Sequence, residues 1–107
     1  MRETYDKLVR DDIPDLIRAD GETPETDRVS GEQYRARLHE KLDEEVAEFH
    51  DDPSPEELAD VRAVLDALQS AESIAEQDVR DARERKRKER GAFADGIVLH
   101  AVRSANE

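Results

Sequence analysis

Residues 44 to 60 read Glu44-Glu45-Val46-Ala47-Glu48-Phe49-His50-Asp51-Asp52-Pro53-Ser54-Pro55-Glu56-Glu57-Leu58-Ala59-Asp60. Helix-compatible sequence stands on both sides of His50-Asp51-Asp52-Pro53-Ser54-Pro55, a stretch of turn residues. A turn this short leaves its flanking helices as antiparallel neighbours. Residues three apart share a helix face, so Glu45 and Glu48 face one way, Glu57 and Asp60 point back at them, and four carboxylates converge. Such a cluster repels itself unless protons or a cation neutralise it. Hard oxygen ligands of this kind suit Mg²⁺ or Mn²⁺, and those ions suit phosphate chemistry.

Helical register places some of these acids against the core. At about 100° per residue, Leu38, Leu42, Val46 and Phe49 form an apolar stripe, with Glu45 in its middle and Glu48 at its flank. In the following helix Leu58, Val61, Leu65 and Leu68 define the expected stripe; Glu57 falls inside it and Asp60 at its edge. A buried carboxylate without a partner is costly. A shared cation accounts for two of them at facing helix ends.

Composition sets the scale. A chain of 107 residues without cysteine is expected to be a single domain over residues 1–107 with no disulfide framework. No apolar run is long enough to span a membrane, and Met1-Arg2-Glu3-Thr4-Tyr5-Asp6 lacks the apolar core of a signal peptide. A soluble, cytoplasmic protein with no membrane partner is expected. With 43% charged and 36% apolar residues and no Trp, one chain builds a thin core, and a homodimer or higher homo-oligomer sharing core between subunits is the natural remedy. The net charge of −12 argues against general nucleic-acid binding, which needs a positive surface. Lysine occurs only at Lys7, Lys41, Lys86 and Lys88, and this acid-rich, lysine-poor balance is similar to that of halophilic proteins, whose self-repulsion is screened by salt.

Four helical segments and a tail emerge along the chain. Asp12-Ile13-Pro14 reads as the start of a short helix running through Ile17 and ending before Gly21, followed by a loop to Val29. Ser30-Gly31-Glu32-Gln33 fits a capping box opening a helix from Gly31 to Phe49. Ser54-Pro55-Glu56-Glu57 is a second capping box, with Pro at the first helical position, opening a helix through Leu68. Glu72 to Arg90 is sparsely apolar, alternates its charges and meets Gly91 where a C-cap belongs, which predicts an exposed or subunit-bridging helix. Ile97-Val98-Leu99 suits a strand or an extended packing segment. The fold class is therefore all-α, an antiparallel helical bundle with a short extended C-terminal segment.

The singled-out residues also have plainer readings. Glu57 is the residue type a capping box places third whatever its function, and Glu44 can pair with bases of its own helix. Arg83 to Arg90 reads either as an RNA-binding helix or as solvated charge at the negative end of a helix dipole. His39, His50 and His100 share no ligand-like spacing, and Tyr34 and Phe93 suit a core as well as a base-stacking platform. With no cysteine nucleophile and no Gly-rich phosphate loop, metal-assisted hydrolysis is the enzyme class the residues support. A non-catalytic acidic helical adaptor is the rival of a different class.

Glu44-Glu45-x-x-Glu48 followed by Glu57-x-x-Asp60 resembles the metal-binding signature of the all-α nucleoside triphosphate pyrophosphohydrolases, the MazG-like superfamily. Lys7-Leu8-Val9-Arg10-Asp11 with Ile13-Pro14, and Lys88-Glu89-Arg90-Gly91-Ala92-Phe93, resemble flanking segments of its phosphoribosyl-ATP pyrophosphohydrolase-like branch. Only residues 49 to 56 separate the acidic motifs, a shorter stretch than the superfamily usually has. The resemblance implies Mg²⁺-dependent cleavage of a nucleotide between its α- and β-phosphates, giving monophosphate and pyrophosphate, as in removal of noncanonical nucleotides or in phosphoribosyl-ATP hydrolysis of histidine biosynthesis. It implies Glu45, Glu48, Glu57 and Asp60 as metal ligands, with Glu44 and Glu45 at the reacting water or Glu44 on a second metal. Lys7, Arg10, Lys86 and Arg90 are the implied phosphate-binding residues.

Overall fold

The computed structural model describes residues 1–106, and among them it has four α-helices and no strand: α1 Ile13–Ala19, α2 Gly31–Asp51, α3 Pro55–Ala71 and α4 Glu76–Arg90. The chain divides into two compact units, Met1–Ile74 and a second from Ala75 onward, and each is described by itself. No helix is long and apolar enough to cross a membrane among the described residues.

In the first unit α2 and α3 pack together as a hairpin, as expected from the short turn. Its core is small. Leu38, Val64 and Leu68 are buried, with Leu8, Tyr34, Leu42, Ala67 and Ala71 packed around them. The start of α3 follows the capping chemistry: Pro55 sits in the first turn, and the Glu57 backbone N–H donates to Ser54 Oγ at 3.3 Å. The start of α2 departs from it. Gly31 has φ +57°, and no side chain caps the helix from Ser30; a left-handed residue at the first helical position redirects the chain between the Ser30 hydroxyl and the N–H groups it would serve.

Helix ends are set by backbone geometry. In α1, Gly21 (φ +85°) donates to Arg18 O and Glu22 to Ile17 O at 3.0 and 3.2 Å, the paired bonds of a Schellman C-cap. The same pair closes α3, where Ser73 (φ +55°) donates to Ser70 O and Ile74 to Gln69 O at 3.1 and 3.0 Å. This cap corrects the expected boundaries: α3 runs on to Ala71, and residues 72–75 separate it from α4 rather than opening that helix. Helix α2 likewise extends past Phe49 to Asp51.

The apolar face of α3 is also rotated from the expected one. Leu58 and Leu65 are 36% and 47% exposed, while Val64 and Leu68 are buried. The inward face therefore follows the helical series Glu57, Val61, Val64, Leu68, which sets the acid at its head toward α2.

In the second unit α4 buries no residue, and Gly91 (φ +81°) ends it by donating to Arg87 O at 2.8 Å. Ile97, Val98 and Leu99 are 85%, 71% and 76% exposed and form no strand. The expectation of a strand or packed segment there fails because no neighbouring edge or apolar face covers them among the described residues.

Candidate metal centre

The hairpin brings three carboxylates to one point. Glu45 on α2 and Glu57 and Asp60 in the first turns of α3 each offer an oxygen, and the three oxygens lie within 4.8 Å of one another. Glu45 is only 5% exposed. Its Oε2 and that of Glu57 are buried and have no hydrogen-bond partner. Unsatisfied carboxylate oxygens at such depth are costly, and a hard cation among them would satisfy both. The donor set fits Mg²⁺ or Mn²⁺ on that ground.

Glu48, expected as a fourth ligand, lies outside the three-oxygen triangle and is exposed. It nevertheless belongs to the same cluster. Its carboxyl is held above the ordinary pKa by a hydrogen bond to Glu45, by the Glu45 charge and by the charges of Glu57 and Glu44. The mutual repulsion of these carboxylates marks a cluster short of positive charge.

Three basic side chains reach the acids. Lys41, one helical turn before Glu45, places Nζ 3.1 Å from Glu45 Oε1 and 3.5 Å from Glu44 Oε1. Lys7 Nζ stands 3.0 Å from the same Glu44 oxygen. Arg10 Nη2 donates to Asp60 Oδ1 at 2.7 Å. Burial works to raise the Glu44 pKa, but the hydrogen bond from Lys7 and the charges of Lys41 and Lys7 outweigh it and leave the group below its ordinary value. Lys7 is raised in turn, chiefly by its hydrogen bond to Glu44.

The N-terminal segment is delivered by Arg37, which donates to Asp6 O at 3.0 Å and Asp6 Oδ1 at 2.9 Å where the chain adopts φ +45°. Leu8 then packs on the core, which leaves Lys7 and Arg10 on either side of it at the acids. Of the expected phosphate ligands, these two are thus brought to the carboxylates. Lys86 and Arg90 lie on α4, in the second unit. Lys41 and Arg37 are additional to the expected residues. The four-residue spacing of Lys41 and Glu45 was the available signal for the first; nothing local announces a pairing between Arg37 and Asp6.

No family model matches this chain, and no solved structure matches it. An uncharacterized protein of Mycolicibacterium smegmatis is similar to it, 60% identical over 43 residues. The match takes in 40% of this chain and 44% of that relative's length.

Proposed function

We propose that the chain is a MazG-like, Mg²⁺-dependent nucleotide pyrophosphohydrolase that cleaves between the α- and β-phosphates. The observation that carries this reading is the pair of buried, unpartnered oxygens, Glu45 Oε2 and Glu57 Oε2, in a cluster completed by Asp60. Bound Mg²⁺ would neutralise phosphate oxygens and lower the pKa of an attacking water. Glu45, Glu57 and Asp60 would hold the ion, with Glu48 at its margin. Lys7 and Arg10, already at the rim of the cluster, would exchange their contacts with Glu44 and Asp60 for substrate phosphates, Arg10 through the two-pronged contact a guanidinium allows. Glu44, once released by Lys7, would orient the attacking water.

The same reading has the protein working in the cytoplasm as a homodimer or higher homo-oligomer, in keeping with a core of three buried apolar side chains among the described residues. The test is release of pyrophosphate and monophosphate by the full chain with Mg²⁺, across a panel of nucleoside triphosphates that includes noncanonical bases, with phosphoribosyl-ATP alongside. Turnover of phosphoribosyl-ATP alone would move the assignment to histidine biosynthesis. Metal binding without release from any substrate would make the chain an adaptor.

A further inference from the structure

The ammonium of Lys41 sits inside the acidic cluster. Its side chain is 15% exposed, and Nζ touches both Glu45 Oε1 and Glu44 Oε1. Adjacent carboxylates of this kind are natural bridging ligands for a second divalent ion. Here the bridging oxygens already carry a cation, and a covalently tethered one. Lys41 holds Glu45 Oε1, which leaves Glu45 one free oxygen, the buried and unpartnered Oε2.

Charge points the same way. Glu44, Glu45, Glu48, Glu57 and Asp60 bring five negative charges together, and Lys7, Lys41 and Arg10 supply three positive ones in direct contact with them. Two negative charges remain, which one divalent ion neutralises and a second would overshoot. A second ion would also have to stand beside a fixed ammonium, where like charges repel strongly at partly buried sites.

We propose that Lys41 is a built-in cation that limits the nucleotide-free site to one divalent ion, its ammonium occupying the Glu44 and Glu45 oxygens that a second ion would bridge. The inference rests on the metal-centre reading above. Lys41 acts through Glu45 and is a positioning residue: it holds Oε1, so that Oε2 is the oxygen offered to the ion. Glu44 then has no metal role in the free protein.

Mn²⁺ titration of the full chain without nucleotide, followed by calorimetry and by electron paramagnetic resonance, tests this. Wild type should bind one Mn²⁺ per chain. Lys41→Met should bind two, with the spectral broadening of a close spin pair, and Lys41→Arg should return the count to one. A purely structural lysine would change the melting temperature and leave the count alone. Two ions in wild type, or one in folded Lys41→Met, overturns the proposal while leaving the metal centre standing; no Mn²⁺ bound to wild type removes the metal centre itself. Circular dichroism checks the fold, and should Lys41→Met lose its helix content, Lys41→Gln, which keeps an amide donor without the charge, is titrated in its place under the same criteria.

Discussion

Arg10 and Asp60 are fifty positions apart and meet at 2.7 Å, so that one of the three clustered carboxylates carries a guanidinium of its own. The pair is well exposed on the arginine side, 63%, and less so on the aspartate side, 38%. Exposed pairs of this kind contribute about 0.2–1 kcal/mol, too little to hold against a divalent ion. On the proposed reading Arg10 is an exchangeable partner for Asp60.

Removing that partner has opposite effects on ion and substrate. Arg10→Met should bind Mg²⁺ about 1.4- to fivefold more tightly without nucleotide, the factor corresponding to the pair energy above. The KM for nucleotide should rise, because a phosphate contact is lost. Calorimetry and a pyrophosphate assay read the two, and an unchanged KM would take Arg10 out of the substrate site.

Glu57 separates capping from ligation. The cap of α3 is made by Ser54 Oγ and the Glu57 backbone N–H, so Glu57→Gln should leave thermal stability nearly intact, while Ser54→Ala should cost about 1 kcal/mol. Metal binding needs the negative charge of the side chain. Glu57→Gln and Asp60→Asn should each weaken Mg²⁺ at least about tenfold and reduce hydrolysis together. Full metal-dependent turnover in Glu57→Gln, with loss in Asp60→Asn, would leave Glu57 as a helix-start residue and nothing more.

The convergence of acids was legible because it follows from short-range rules: a short turn, two helices and a three-residue spacing put Glu45, Glu57 and Asp60 together. Glu48 obeyed the same spacing, yet it is exposed and lies outside the three-carboxylate group. The rotated face of α3 was hidden for a different reason. Leu58 and Leu65 lie one residue C-terminal to Glu57 and Val64, and hydrophobicity alone cannot choose between faces about 100° apart when the partner helix favours the one headed by an acid. The Arg37 clamp on Asp6 and the Arg10–Asp60 pair link positions 31 and 50 residues apart. Contacts at that range depend on the assembled unit and leave no periodic trace.

Metal should stabilise the folded chain. An ion that binds only the native state adds about 2.7 kcal/mol at a hundredfold excess over its Kd, so Mg²⁺ or Mn²⁺ should raise the melting temperature in a concentration-dependent way and a chelator should reverse it. Differential scanning calorimetry reads the shift. An identical melting temperature with and without either ion, in salt that keeps the chain folded, would sink the centre.

The two Schellman ends give opposite signs for glycine. Ser73 occupies the left-handed region without being glycine, at a cost of about 1–2 kcal/mol for an L-residue, partly offset because glycine loses more freedom on folding. Ser73→Gly should therefore raise stability by about 0.5–1 kcal/mol. Gly21→Ala should lower it by about 1 kcal/mol, since a Cβ there meets no atom within 4 Å and backbone strain is the whole effect. Urea unfolding of both variants reads the difference, and a loss of stability in Ser73→Gly would mean that the serine side chain contributes more than its backbone costs.

Glu48 makes the charge imbalance measurable through pH. Its pKa is raised in the folded protein by the hydrogen bond to Glu45 and the surrounding carboxylates, so the native state keeps the proton to higher pH than the unfolded chain does. The stability it contributes is present below the unfolded value, about 4.3 for glutamate, and is lost as pH rises through the folded value. With chelator present, melting temperature should fall over that interval. Glu48→Gln should reduce the fall, because it removes the charge that has to form beside Glu45, and saturating Mg²⁺ should reduce it in wild type, because the ion replaces the proton as counter-charge. A pH slope that neither change alters would assign the loss to the chain's general excess of acid rather than to this cluster.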